Sequence, residues 1–441
     1  MPGHCFRAIV RLDLELPSRK FPHCVTISII SITRRKRILF RTLALLLPVA
    51  LLLFIELALR LCGIGGYAPF FHKVGPVPGG TLMVTDEAGA ESWFFNSGEA
   101  GDTAQYAFLD PKPTNTFRVF IVGESAARGY PQPRNLASSA FLQAMLQDAW
   151  PERRVEVINL GTVAVASYPV LCIMTEALRF NPDLIIIETG HNEFYGAYGM
   201  ASSSRAGSRP WMLAATRFVH SLAVIQGLEK LLHPKHPDTQ RTLMELMAGK
   251  NYIAPDDWRR AAAANNLYHN VSAMIERCRA RGVPVLLCTL PSSESNLAPI
   301  GPDAADSPAT EQARTHFLQA RTLEAEGKSA EALAEFVKAR DLDTMPWRAT
   351  SAAQEAILRA AREQGASVCD LVKAFRQASP GGTIGWELMD DHVHPNLRGQ
   401  ALMAETFVNS MTNVSVTARA DCALAGLCAK TGRQPLRPLR G

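Results

Sequence analysis

Short apolar runs alternate with stretches of helical character between residues 117 and 290, and this alternation limits the possible folds. The runs are rich in β-branched residues and cover residues 117–122, 155–160, 184–188 and 283–290. The helical stretches cover residues 138–150, 171–179 and 258–281. This order predicts an α/β fold in three layers, with helices on both faces of a parallel sheet. Ligands bind such sheets at the carboxyl ends of the strands.

Length and charge restrict the class of protein further. The chain has 441 residues, of which 47% are hydrophobic and 20% charged, as in a globular protein that carries one unusually apolar segment. The formal net charge is only +5, and much of the basic excess lies near the two ends. A nucleic-acid partner would need a basic stripe on the folded part, so we predict no nucleic-acid binding.

The unusually apolar segment covers residues 38–61. Its uncharged core, residues 42–55, is short enough for a signal peptide, whereas the full segment as a helix would reach about 36 Å and span a bilayer. Arg41 and Arg60 lie near its ends, where long basic side chains reach the membrane surface. We therefore predict a transmembrane signal anchor at residues 38–61.

Two alternatives to the anchor are a cleaved signal peptide and a buried helix of a soluble domain. No A-x-A cleavage site follows the apolar run, and a basic cluster at residues 34–37 directly precedes it. Positive charge before the helix predicts that residues 1–37 are cytoplasmic and that the chain after the helix lies outside the cytoplasm. We therefore expect a single-pass membrane protein whose main domain is extracytoplasmic, in a periplasmic-type compartment.

Four further segments have their own character. Residues 62–112 are rich in Gly and Pro and predict a stalk, while residues 413–441 predict a basic tail. Residues 195–257 follow a candidate site loop, so they form either a lid or a surface helical excursion. Residues 313–345 match one tetratricopeptide-like helix pair. We expect a docked hairpin rather than a peptide-binding array, which needs at least about three repeats, although a protein partner could bind there.

The cysteines indicate no metal site. Nine cysteines occur without a C-x-x-C pair, so zinc binding is not expected. Cys172, Cys278 and Cys288 lie in apolar or helical contexts and are expected to be buried. Cys422 and Cys428 in the tail could form a disulfide in an oxidising compartment. No P-loop, dinucleotide-binding or metalloprotease motif is present, and no cofactor is expected.

Three polar segments follow or flank the predicted strands. Gly123-Glu124-Ser125 ends the first strand, where a serine either caps a helix or is held out as a nucleophile. Gly190-His191-Asn192-Glu193 follows the third strand, where an asparagine amide can donate to an oxyanion. Asp391 precedes His394 by three residues, so one loop can supply a base and the carboxylate that orients it.

Together these segments resemble the SGNH, or GDSL-type, hydrolase family over roughly residues 113–412. The family block G-D-S is similar to residues 123–125, and G-x-N-D is similar to residues 190–193. In both blocks a glutamate, Glu124 or Glu193, replaces the aspartate. The final D-x-x-H block matches residues 391–394 without departure. The glycine of the second block aligns with Ala164, with Gly161 as the alternative.

The resemblance implies a flavodoxin-like fold and a role for each matching residue. Ser125 would be the nucleophile, His394 the general base and Asp391 its orienting carboxylate, with His392 as the competing base. The oxyanion would be bound by the Ser125 and Ala164 N–H groups and the Asn192 amide. Supporting positions are Gly123, Gly190 and Glu193.

Three functions are consistent with this sequence. The first is a serine ester hydrolase acting through an acyl-enzyme on an acylated glycan, a lipid or a small ester outside the cytoplasm. The second is an O-acyltransferase that modifies exported polysaccharide with the same three residues. The third is a non-catalytic assembly module that keeps the fold and presents the helical hairpin to a partner.

Overall fold

A computed structural model describes residues 33–94, 102–202, 209–232, 251–303, 308 and 312–411. The chain separates into two units, Met1–Ala58 and Leu59–Gly441. Helix α1 (Arg34–Leu61) supplies the described part of the first unit, and none of its side chains is buried. Within the described residues, α1 is the one helix long and apolar enough to cross a membrane, a test that a signal sequence also passes.

A five-stranded parallel sheet forms the centre of the second unit. In spatial order its strands are β5 (Arg154–Asn159), β4 (Thr116–Gly123), β6 (Leu184–Glu188), β7 (Val285–Cys288) and β8 (Ser367–Cys369). The chain order reverses between β4 and β6, so their carboxyl ends form the switch point at which open α/β sheets bind ligands. The three-layer α/β fold inferred from the sequence is confirmed.

Helices cover both faces of this sheet. The helices of the second unit within the described residues are α2 (Glu87–Glu91), α3 (Ser125–Arg128), α4 (Ser138–Ala149), α5 (Ser167–Ala177), α6 (Pro210–His220), α7 (Ala223–Leu232), α8 (Trp258–Ala280), α9 (Ala313–Ala325), α10 (Ser329–Leu342), α11 (Ser351–Gln364), α12 (Leu371–Ala378) and α13 (Leu397–Met411). On one face α5, α8 and α11 pack in one apolar cluster, and on the other α4, α12 and α13 pack in a second.

Strand β4 supplies side chains to both clusters. Phe120 and Val122 belong to the first cluster, whereas Val119 and Ile121 belong to the second. Successive side chains of a strand point to opposite faces, and a strand covered on both faces is therefore apolar throughout. This explains why the sequence shows unbroken apolar runs rather than an alternating pattern.

The structure differs from the predicted stalk at residues 62–112. This segment contains a three-stranded antiparallel sheet of β1 (Phe71–Val77), β2 (Gly80–Thr85) and β3 (Ala107–Asp110). Phe71 and Phe108 from this sheet join the main core and pack against Phe120. Gly79, with φ of 94°, makes the tight turn between β1 and β2, so the glycines that indicated a stalk instead close a hairpin.

The two predicted insertions contain helices. Helices α6 and α7 lie within residues 195–257, of which residues 203–208 and 233–250 fall outside the described residues. Helices α9 and α10 form an antiparallel hairpin in residues 313–345 with a small apolar cluster of Ala320, Ala332 and Phe336. The predicted tail at residues 413–441, with Cys422 and Cys428, lies outside the described residues.

Candidate active site

Ser125 lies immediately beyond the carboxyl end of β4, as the first residue of α3. Gly123 precedes it with no room for a side chain, because an added Cβ would lie 2.0 Å from the Glu188 carbonyl oxygen of the neighbouring strand β6. The chain turns from strand to helix within two residues, with Glu124 in an extended conformation. This sharp turn holds the Ser125 hydroxyl at the sheet edge, where it is buried.

A chain of hydrogen bonds connects Ser125 to the loop before α13. The Ser125 Oγ lies 2.7 Å from His394 Nε2, and His394 Nδ1 lies 2.6 Å from Asp391 Oδ2. The Asp391 Oδ1 accepts hydrogen bonds from the backbone N–H groups of Val393, at 2.9 Å, and His394, at 2.8 Å. The loop thus fixes the carboxylate, which selects the imidazole tautomer that carries its proton on Nδ1 and accepts at Nε2.

His392, the competing base, has a different position. Its Nδ1 lies 3.5 Å from Asp391 Oδ1, and the hydrogen bond to the Ser125 hydroxyl is made by His394. Burial lowers the pKa of His392 to about 4, against the opposing charge of Asp391. Burial alone would raise the pKa of Asp391, but the hydrogen bond and charge of His394 bring it well below its usual range. Asp391 is therefore ionised and His392 neutral near neutral pH.

The Glu124 carboxylate joins the turn after β6 to the serine. Its Oε1 accepts hydrogen bonds from the Thr189 hydroxyl at 2.7 Å and the Gly190 N–H at 2.6 Å. Its Oε2 accepts from the N–H groups of His191 and Asn192, both at 3.0 Å. Burial raises the pKa of Glu124 to about 7, although these four hydrogen bonds oppose the rise. The glutamate beside the serine thus shapes the loop that carries Asn192.

Three candidate oxyanion donors have no hydrogen-bond acceptor among the residues that the structure describes: the N–H groups of Ser125 and Ala164 and the Asn192 side-chain amide. Each lies in a buried residue. Buried donors are rarely left without an acceptor, and such groups at a site are available to a bound oxyanion.

Gly161, the alternative to Ala164, has other contacts. Its N–H donates to Asn159 Oδ1 at 2.8 Å, and an added Cβ would lie 2.3 Å from the backbone nitrogen of Arg128. Gly161 therefore permits close packing of two backbone segments. Ala164 instead has a φ of 63°, a conformation that glycine adopts easily and alanine rarely does. The Ala197 N–H holds it there with a 2.8 Å hydrogen bond to the Ala164 carbonyl.

Glu193 and His191 lie in the same turn and are both buried. Glu193 Oε1 accepts from the Ser167 N–H at 2.7 Å, and burial, reinforced by the charge of Glu124, raises its pKa to about 8. His191 Nδ1 accepts from the Ala349 N–H at 3.2 Å, and burial lowers its pKa to about 3. Both groups are therefore neutral near pH 7, and they hold the turn against α5 and the segment after α10.

The sequence does not reveal the contacts of two residues of this site. It shows Glu124 in place of the family aspartate, but not the four acceptor contacts by which this residue organises the loop. Tyr130 packs its ring edge-on against His394, with the ring centroids 4.9 Å apart. Proximity of Tyr130 to the serine block was the only available signal. Within the described chain, no group of three or more His, Cys, Asp or Glu residues could hold a metal ion.

The sequence profile of the GDSL-like lipase/acylhydrolase family matches residues 121–402, which contain Ser125, Asn192 and His394. The chain belongs to this family. The resemblance inferred from the sequence is therefore confirmed, and family membership implies hydrolysis of ester bonds.

Several solved structures are similar to this chain. They include TesA, at 14% identity with a TM-score of 0.32, covering 67% of this chain and 97% of that one. The psychrotrophic esterase EstA from Pseudoalteromonas sp. has 12% identity and a TM-score of 0.32, covering 67% and 97%. The lipase/acylhydrolase from Enterococcus faecalis has 15% identity and a TM-score of 0.33, covering 67% and 96%. No curated protein matches this family member in sequence.

We expect Glu124→Gln to lower the free energy of unfolding by at least about 2 kcal/mol. The amide nitrogen that replaces one oxygen cannot accept, so two buried donors lose their acceptor at about 1–3 kcal/mol each. Glu124→Asp restores the family residue, keeps both acceptor oxygens and should cost less. Urea unfolding of the three proteins measures the difference, and equal stability of Glu124→Gln and wild type would contradict the role given to this carboxylate.

We expect titration of Glu193 to lower the free energy of unfolding as the pH rises from 7 to 8.5. Its pKa in the folded protein, about 8, lies above the ordinary value of 4.5, so the folded state binds the proton more tightly than the unfolded chain. Its contribution therefore decreases over this window, by about 1 kcal/mol. Glu193→Gln keeps an acceptor for Ser167 and should show a shallower decline in thermal unfolding experiments. The exposed control Glu355→Gln should decline as the wild type does, and identical slopes for all three proteins would count against the prediction.

Proposed function

We propose that the protein is a serine ester hydrolase, an esterase, lipase or O-acyl esterase that works through an acyl-enzyme. The observation that carries this proposal is the hydrogen-bond chain from Asp391 through His394 to the Ser125 hydroxyl. Distances of 2.6 and 2.7 Å are within the reach needed for proton transfer. Membership of a family of lipases and acylhydrolases supports the same reaction class.

Each step assigns a role to one group. The Ser125 Oγ attacks the ester carbonyl carbon while its proton passes to His394 Nε2, and Asp391 stabilises the imidazolium that forms. Collapse of the tetrahedral intermediate breaks the carbon–oxygen bond of the ester, and the leaving alkoxide takes the proton from His394. Water then attacks the acyl-enzyme, again giving a proton to His394, and the acid departs as the serine recovers its proton.

The oxyanion of both tetrahedral intermediates would be bound by the Ser125 and Ala164 N–H groups and the Asn192 amide. Their lack of acceptors within the described residues supports this assignment, since donors already free of internal bonds need no rearrangement during reaction. Engagement of the Gly161 N–H by Asn159 favours Ala164 as the second backbone donor.

We further propose that residues 38–61 anchor the protein in the membrane as a single span. The exposed apolar side chains of α1 and the basic residues at its start, Arg34 to Arg37, support this arrangement. With the basic end in the cytoplasm, the hydrolase domain, residues 113–412, would lie outside it. The ester substrate would then be an acylated glycan, a lipid or another acyl compound of that compartment.

Ser125→Ala should abolish ester turnover and leave the fold intact, because alanine removes only the hydroxyl. The membrane-inserted wild type and the variant are exposed to a fluorophosphonate probe and to a chromogenic ester. We expect labelling and hydrolysis of the wild type and neither for the variant, with matching thermal unfolding curves. Ester cleavage retained by Ser125→Ala would exclude Ser125 as the nucleophile. Products that carry the acyl group on a glycan acceptor would indicate an O-acyltransferase instead of a hydrolase.

Asn192→Ala should lower kcat by about 10²–10³ with a small change in KM, because the lost donor acts mainly in the transition state. Asn192→Asp keeps the size of the side chain but replaces the donor with an acceptor, so its loss should be at least as large. Steady-state kinetics with the chromogenic ester measures both variants. A wild-type kcat in either would exclude Asn192 from the oxyanion site.

A further inference from the structure

Helices α6 and α7 expose large apolar side chains at helical spacing. On α6, Trp211 and Phe218 are seven residues apart and are 65% and 66% exposed. On α7, Leu228, Leu231 and Leu232 lie at positions i, i+3 and i+4 and are 48%, 76% and 68% exposed. Side chains at these spacings share one face of a helix, so each helix presents an apolar stripe to its surroundings. Large exposed apolar side chains grouped on one helix face are typical of an interaction site.

Several polar side chains of the same helices make contacts within the protein. Arg217 lies over the rings of Tyr67 and Trp93, and it donates to the Ser92 hydroxyl at 3.0 Å. His220 pairs with Glu229, the only acidic residue of the two helices. An ordinary surface helix turns its polar side chains outward and its apolar ones inward. These two helices reverse that arrangement at several positions.

The turn between α6 and α7 contacts residues at the start of the second unit. In the second unit, the Ser221 carbonyl between α6 and α7 accepts from Arg60 Nη2 at 2.8 Å and from the Gly66 N–H at 3.1 Å. The Gln226 side chain donates to the Gly66 carbonyl at 3.0 Å. Arg60 lies in the last turn of the apolar helix. If α1 spans a bilayer, Arg60 lies at the membrane surface, and these contacts place Ser221 at the same level.

We propose that the exposed face of α6 and α7 is a membrane-binding surface that inserts into the phospholipid bilayer beside the anchor. This inference depends on the proposed anchoring by α1 and is independent of the proposed ester hydrolysis. Trp211 and Phe218 suit the headgroup region, where aromatic side chains concentrate, and the leucines suit the acyl boundary. The only acidic residue of the pair is engaged by His220, so no unpaired carboxylate opposes contact with anionic headgroups.

The tryptophans allow a direct test with the full-length protein. The chain has six tryptophans, none within residues 38–61, so quenching by lipid reports on the second unit. The protein is reconstituted in vesicles of phosphatidylcholine with brominated acyl chains, and its fluorescence is compared with that in unbrominated vesicles. We expect quenching in the wild type, a loss of at least half of it in Trp211→Phe, and little change in Trp258→Phe. Trp258 is a matched control because it is 66% exposed in the same unit.

Each other outcome overturns the inference. Protein that floats with the vesicles but shows no quenching, or equal quenching in Trp211→Phe and wild type, would exclude insertion of this face. Cross-linking between copies through α6, with Trp211 shielded from brominated lipid, would assign the face to a second copy instead. Protein that fails to float would exclude both the anchor and the surface. Ester turnover in the same vesicles reports separately on the proposed reaction.

A second variant tests the same surface without changing Trp211, so that a structural effect of Trp211→Phe cannot explain the result. Phe218→Ser combined with Leu231→Ser removes two exposed apolar side chains and should leave the folded core and the ester turnover unchanged. Trp211 stays in place as the reporter, and its quenching should fall by at least half because the face inserts less deeply. Unchanged quenching in this double variant would also overturn the inference.

Discussion

The Glu124 carboxylate is the constraint on which the site depends. Its four hydrogen bonds join the end of β4 to the turn after β6, across the point where the strand order reverses. The backbone of Glu124 leads directly into the nucleophile, while its side chain sets the loop that carries Asn192. One residue therefore fixes the separation between the attacking oxygen and a candidate oxyanion donor. The turn supplies two donors to each oxygen of this carboxylate.

Burial of the side chains around Ser125 also determines which of them are charged. Burial raises the pKa of Glu193 to about 8 and lowers that of His191 to about 3, so both are neutral at pH 7. Glu188, at the end of β6, is fully buried, and burial raises its pKa well above the usual range. Asp391, in contrast, keeps its charge because two N–H groups and His394 bind it. Glu193 and His191 therefore add no charge beside an oxyanion formed at Ser125, and the ionised Asp391 lies on the far side of the imidazole.

The sequence was sufficient where local chemistry decides structure. The run at residues 184–188 contains three consecutive isoleucines and forms β6 with those limits, and D-x-x-H places a base and its carboxylate in one loop. It did not predict elements whose packing partners are distant along the chain. The three-residue strand β8 is stable only as an edge of the sheet, and the antiparallel sheet at β1–β3 depends on packing against Phe120. The choice between Ala164 and Gly161 as the oxyanion donor depends on which backbone N–H is already hydrogen-bonded. The spacing of residues in the sequence does not reveal this.

The single helical hairpin of α9 and α10 leads into a segment that contacts the site. Asp343, just after α10, accepts from the N–H groups of Ile300, Gly301 and Met345, and so fixes the chain that leads back to the sheet. Six residues later the Ala349 N–H donates to His191 Nδ1, which leaves the proton of this neutral imidazole on Nε2. The segment after the hairpin thus supplies a backbone donor to the loop that carries Asn192.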